Sequence, residues 1–410
     1  MTSMSATSSV EFLIWLLIAA SAIAILAKRL RAPYTVALVA GGLLLSILHL
    51  PHISPLDPGQ RPEWLTPEVI LIFFLPALVF EGSVKLNVRE LTRNSVPLLL
   101  LAVLGVLLAA VVTGSMVHWT TGLPIEIALV FGAIISATDP ISVLAILKDL
   151  RMNKRLSLII EGESLLNDGT AAALFQIMLA GIIAGHFGVI KGVGQFFLAV
   201  IGGGVLGAVI GYVASGLTRR IDDPEIQITL TAVVAYSSYL LAYQLHLSGI
   251  IATAMAGLVV GNLGTRDCSA QTKTALVSFW AYIAFVMNSL VFLLIGLEVR
   301  VDVLAHAWRP VLLTIAAVLA GRAFSVYLLV PASNFFAENI PLRWQHVIVW
   351  GGLRGALALA LALSLDGGFP DRALLLDLTF GVVVFSIAVQ GLTMKPLLKI
   401  LGLVTLPNED

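Results

Sequence analysis

Glu161-Gly162-Glu163-Ser164-Leu165-Leu166-Asn167-Asp168 runs through the middle of a long apolar stretch, and Ala137-Thr138-Asp139-Pro140 interrupts the apolar stretch before it. An ionisable side chain at bilayer depth costs roughly 2.5–3.5 kcal/mol on an insertion scale, so it faces protein or a wet cavity and marks an ion or proton path. Three carboxylates, Asp139, Glu163 and Asp168, are confined to these two neighbouring segments. Any chemistry the chain performs is expected there.

The rest of the chain supplies the membrane. Of 410 residues, 59% are hydrophobic and 12% charged, and the mean hydropathy is +0.99. A soluble chain of this length needs more polar surface. Apolar segments of about 20 residues, enough to cross a hydrocarbon core of roughly 30 Å, recur throughout. Lys+Arg and Asp+Glu balance at 24 each, which argues against a nucleic-acid surface. The single cysteine, Cys268, excludes an intramolecular disulfide framework and a Cys-rich metal site. Basic residues follow the first span and none precedes it, the pattern of a retained helix and not of a cleaved signal.

The periodicity predicts an all-α polytopic membrane protein of about thirteen spans, near 10–27, 33–50, 68–83, 96–118, 124–148, 156–182, 189–217, 226–246, 248–263, 275–298, 309–333, 344–365 and 373–402. Loops after odd-numbered spans hold most of the basic residues, Lys28, Arg31, Lys85, Arg89, Lys154 and Arg219 among them. The opposite side holds only Arg61, Lys191, Arg300, Arg309 and Arg372. The positive-inside rule then puts the odd loops and the C-terminus in the cytoplasm and the N-terminus outside.

A faint internal repeat divides this array. Phe74-Leu75-Pro76-Ala77-Leu78-Val79-Phe80-Glu81 closes span 3, and Phe292-Leu293-Leu294-Ile295-Gly296-Leu297-Glu298 closes span 10. At a similar offset Asp139 maps near Arg354. Seven spans separate the copies, so the predicted six-helix repeats, about 10–182 and 226–402 around a linking span at 189–217, are inverted. Inverted repeats place substrate near the midplane between broken helices. Pro140 breaks span 5, and Gly351, Gly352 and Gly355 loosen span 12 around Arg354. In span 7, Gly203, Gly207 and Gly211 form a small face for close packing.

At about 1.5 Å of rise per residue, Asp139, Asp168, Arg322 and Arg354 share one layer, with Glu163 close by. A hard monovalent cation takes oxygen ligands, and Asp168, Glu163, Ser164 and the carbonyl of Thr138 offer them. Arg322 and Arg354 read as structural, with Glu81 and Glu163 as their expected partners. Asp139 and Asp168 are then acid in excess of the arginines.

The Thr-Asp-Pro break, the Glu-Ser-Leu-x-Asn-Asp run and the segment Gly351 to Ala356 resemble the monovalent cation:proton antiporter superfamily, in its NhaP-like sodium/proton exchanger branch. The resemblance covers almost the whole chain. It implies that Asp168 is the main ion- and proton-carrying carboxylate. Asp139, Thr138, Glu163 and Ser164 would complete the site, Asn167 would bridge to the broken helices, Arg322 would pair with Glu163, and Arg354 would support the second broken helix. It implies a homodimer with a moving six-helix core, in a bacterial or archaeal cell membrane, and a role in pH homeostasis. Electrogenic relatives carry Asp-Asp where this chain has Asn167-Asp168, so exchange is expected to be electroneutral. No enzyme activity, cofactor or soluble regulatory domain is expected. The alternatives are potassium/proton exchange and sodium-coupled symport of an organic solute. An intramembrane aspartyl protease would need a Gly-x-Gly-Asp pattern, which is missing.

Overall fold

The computed structural model describes residues 6–30, 33–48, 66–185, 188–298 and 307–404. Arg31, Arg61 and Arg300 of the charge pattern lie outside these. All regular structure among the described residues is helical; apart from the short helix Val88–Arg93, it falls into thirteen passes. We number them α1 (Ala6–Leu30), α2 (Tyr34–Leu48), α3 (67–84), α4 (Ser95–Thr121), α5 (Ile125–Asp149), α6 (Lys154–Ile183) and α7 (Val189–Thr218). The rest are α8 (Pro224–Gln244), α9 (Gly249–Gly264), α10 (Ala270–Glu298), α11 (Trp308–Ser333), α12 (342–363) and α13 (Arg372–Ile400). Nine are long and apolar enough to cross a membrane unaided.

Local chemistry sets the ends. The Asn153 side chain accepts from Arg155 N at 2.8 Å to start α6, Asp223 from Ile226 N at 3.0 Å to start α8, and Ser248 from Ile251 N at 3.3 Å to start α9. These are N-caps for donors that a helix cannot satisfy itself. Gly122, at φ 76°, ends α4 in the left-handed conformation that glycine adopts without strain.

The packing is reciprocal. α2 lies against α10 as α3 lies against α9; α4 lies against α5 as α11 lies against α12; α4 and α11 face each other. The same exchange relates α1 on α2 to α8 on α9, and α4 on α6 to α11 on α13. Two bundles result, one of α4–α6 with α11–α13, the other of α1–α3 with α8–α10. α7 runs along the outside of α9. Its Gly203, Gly207 and Gly211 are buried against Ser248, Ala252 and Ala256, the packing face that the sequence indicated. Its other face exposes Ile190, Leu198, Ile201 and Val205, as a lipid-facing helix does.

The two predicted breaks are present. α5 stops at Ser136 and resumes at Ile141; α12 stops at Trp350 and resumes at Ala356. Four half-helix ends therefore meet inside one bundle.

The crossing of the broken helices

Each break leaves backbone groups without intrahelical partners, a large penalty at this depth unless protein satisfies them. The two breaks satisfy each other. Asp139 N donates to Leu353 O at 2.7 Å. Arg354 Nη1 donates to Ser136 O at 2.9 Å and Ala137 O at 3.2 Å, at the carbonyl end of the first α5 half-helix. Arg322 Nη2 donates to Ile348 O at 3.1 Å, in the last turn of the first α12 half-helix. Gln390 Nε2 donates to Trp350 O at 3.0 Å. Each arginine thus sets a positive charge at the negative pole of a half-helix. A π-helical turn at Ser386–Gln390 in α13 presents two further groups: Ser386 Oγ accepts from Arg354 N at 2.8 Å and donates to Gln390 Oε1 at 2.8 Å.

Asp139 lies at the opposite poles. Its Oδ1 accepts from Ile141 N at 2.9 Å and so caps the second α5 half-helix. A Cβ added at Gly355, where the second α12 half-helix begins, would strike the Asp139 side chain. The carboxylate therefore faces two positive helix ends, the arrangement that favours bound anions elsewhere.

Glu163 is the partner of Arg322. Nη1 and Nη2 donate to Oε1 and Oε2, both at 2.9 Å, a bidentate pair with Glu163 1% and Arg322 5% exposed. Asn167 Nδ2 adds a bond to Glu163 Oε1 at 3.0 Å. Thr170, one turn on, donates to Ala102 O at 2.5 Å and ties α6 to α4.

Asp168 differs from all of these. It lines a water-accessible cavity of about 150 Å³ together with Asp139, Thr138 and Ser164. No protein group donates a hydrogen bond to it among the described residues. Thr138 Oγ1 and Ser164 Oγ are 3.0 Å apart on the same wall. The other bundle closes the cavity with α3 and with Asn288 of α10. A water needs roughly 10–15 Å³ of such space, so a partly hydrated ion fits. Glu81 and Glu161 also line the cavity, near the ends of α3 and α6 that adjoin the basic loops at Lys85, Arg89, Lys154 and Arg155.

Two expectations need correction. Glu163 does not line the cavity among the described residues: both its oxygens are held by Arg322. Glu81 does not partner an arginine; it pairs with Lys85, one turn along α3, and faces the cavity. The sequence reading also missed Ser386, Gln390 and Asn288. Each is a polar side chain within an apolar span, which was the available signal.

A helical bundle in which two broken helices cross beside buried carboxylates, within inverted repeats, is the architecture of a secondary ion transporter. Comparison with known proteins is specific about which. The profile of the family described as sodium/hydrogen exchanger, transmembrane, matches residues 16–400. The chain is 41% identical to the Na(+)/H(+) antiporter NhaG of Bacillus atrophaeus, over 93% of this chain and 73% of that one. It is 39% identical to the Na(+)/H(+) antiporter NhaH of Halobacillus aidingensis, over 96% and 98%. The solved structure of the sodium proton antiporter MjNhaP1 from Methanocaldococcus jannaschii superposes with a TM-score of 0.79 at 19% identity, covering 97% of this chain and 100% of that one. The protein belongs to the sodium/hydrogen exchanger family.

Proposed function

We propose that this chain exchanges sodium for protons across the membrane, one for one, with Asp168 carrying either ion in turn. The observation that carries the reading is Asp168 itself, an acid beside the crossing of two broken helices that opens onto a cavity and has no protein donor among the described residues. The relatives named as Na(+)/H(+) antiporters support sodium as the cation.

The neighbours of Asp168 have separate tasks. Asp139 contributes its free oxygen, and Ser164 and Thr138 contribute neutral oxygens, directly or through water. Glu163, Arg322 and Arg354 form the frame. Asn167 secures Glu163 and adds no titratable group, so the cycle is electroneutral. An empty, charged Asp168 is expensive to carry through the membrane interior, whereas a bound sodium ion or a proton removes that charge. The bundle of α4–α6 and α11–α13 therefore rocks against the other bundle only when loaded.

The same reading divides the chain into repeats at about 10–182 and 226–402, joined by α7. The cavity opens toward the basic loops, which we place in the cytoplasm with the C-terminus, the N-terminus being outside. We place the protein in a bacterial or archaeal cell membrane as a homodimer serving pH homeostasis. The test is cation-induced dequenching of a pH dye in proteoliposomes of the purified protein, with sodium, lithium and potassium in turn. Sodium is expected to give the response. Proton movement that needs an organic solute, or that potassium alone elicits, overturns the proposal.

A further inference from the structure

Asn288 is a polar residue well inside an apolar helix. It lies eighteen positions from the start of α10, roughly 27 Å along the axis. Its neighbours along the helix are apolar or engaged: Ser289 bonds Tyr34, and Met287 and Leu290 are buried in the hydrophobic core. Asn288 itself takes part in no hydrogen bond among the described residues. It lines the same cavity as Asp168 and Asp139. An amide unsatisfied by protein at this depth is retained at a cost unless water or a ligand satisfies it.

The cavity is built from two bodies. Asp139, Ser164 and Asp168 belong to the bundle with the broken helices. Asn288 belongs to the other, on a helix held firmly: α10 meets α2 where Gly42 and Gly296 allow backbone contact, each Cα within 2.9 Å of where the other's Cβ would stand. Among the described residues, apart from Glu81, which pairs with Lys85, Asn288 is the polar side chain this second bundle brings to the cavity.

We propose that the side-chain carbonyl of Asn288 completes the cation's oxygen shell, directly or through one water, and so sets affinity for the ion on the side to which this cavity opens. The inference rests on cation exchange at Asp168 and adds to it a ligand from the opposite bundle. A neutral carbonyl suits this place. It offers an oxygen to a hard cation yet changes neither the charge carried nor the proton count. When the bundles move apart Asn288 stays behind, so the ion travels without it.

The test uses purified full-length protein. Two readouts are the Michaelis constant for sodium in proteoliposomes and the sodium-induced rise in melting temperature in detergent. Asn288→Leu is expected to raise the Michaelis constant about tenfold, near 1.4 kcal/mol of binding, at unchanged maximal rate. It should shrink the sodium-induced rise while leaving the sodium-free melting temperature in place, since no protein hydrogen bond is lost. Asn288→Asp, which keeps an oxygen and nearly the same side-chain size, is the second variant and is expected to lower the Michaelis constant at alkaline pH. An unchanged constant in either folded variant overturns the inference, and so does a lowered sodium-free melting temperature in Asn288→Leu. Absence of sodium-driven proton movement in the unmodified protein would fail the transport reading instead, a separate result.

Discussion

Removing the Arg322 guanidinium leaves Glu163 buried, 1% exposed, with the single bond from Asn167. It also removes the donor to Ile348 O at the end of the first α12 half-helix. Breaking a buried ion pair from one side costs about 3–5 kcal/mol, because the surviving charge keeps its desolvation penalty. With an unfolding entropy of about 2.1 cal/mol/K per residue, the 410 residues lower the melting temperature by about 3–6 °C. Arg322→Met is the suitable perturbation, since methionine fills the space without new polar groups. Glu163→Leu orphans the other partner and is expected to cost a similar amount. The double variant removes both charges, and its loss should fall about 3 kcal/mol short of the sum, the coupling expected of groups in contact. The assay is thermal unfolding in detergent, followed by fluorescence and by size-exclusion chromatography, with the sodium Michaelis constant measured on the same preparations. If the single variants melt like the parent and lose only sodium affinity, or if the two losses simply add, Arg322 and Glu163 are not a frame and the reasoning fails.

Asp168→Asn is expected to abolish sodium-driven proton movement while the melting temperature stays within 1–2 °C or so of the parent's, because no protein hydrogen bond is lost; exchange at the parental rate in assembled protein would refute the assignment. Since proton and cation compete for one site, the Michaelis constant for sodium should rise as pH falls while the maximal rate at saturating sodium holds; a maximal rate that drops at a constant Michaelis constant indicates a separate pH sensor. With Asn167 carrying no charge, a valinomycin-imposed potassium diffusion potential should leave the exchange rate unchanged, and a rate that follows the sign of the potential contradicts electroneutrality. Gly355→Ala drives a methyl group into Asp139, so transport should fall at least tenfold with the protein still assembled; parental transport would mean that the crossing tolerates displacement.

Hydrophobic length located the nine long passes among the described residues, because crossing a bilayer imposes a residue count; the shorter and broken ones were legible as apolar runs between turn and charge signals. Pro140 and the glycines around Arg354 marked the breaks for an equally local reason: they withdraw or loosen backbone bonds at one place. Depth followed from rise per residue and brought Asp139, Asp168, Arg322 and Arg354 into one layer. Azimuth did not follow. Read from the residues alone, Glu81 and Glu163 were both open as partners for the arginines; the family resemblance implied Glu163 for Arg322, and the packing has α6 turn Glu163 toward α11 while Glu81 bonds Lys85 on its own helix. Arg354 offered no hint that it would serve the carbonyls of Ser136 and Ala137, more than two hundred residues away. That service depends on which half-helix end lies opposite, a property of the assembled crossing and not of any segment.

The glycine seams mark joints that hold. Where α2 meets α10 and α9 meets α3, Gly42, Gly296, Gly257 and Gly261 bring main chain against main chain or against the short Ser83. Nothing flexible lies between, so a shift of one residue would collide at once. Around the cavity the boundary between the bundles is lined instead with Leu75, Leu78, Leu165 and Leu357, side chains that change rotamer and keep contact over a range of offsets; elsewhere it carries Gly169 against Ile251, with Ser248 Oγ donating to Gly169 O at 3.1 Å. The glycine seams thus join α2 to α10 and α3 to α9 as one unit, and the other bundle, rocking as proposed, has leucine to move against around the cavity and the Gly169 contact with α9 to break.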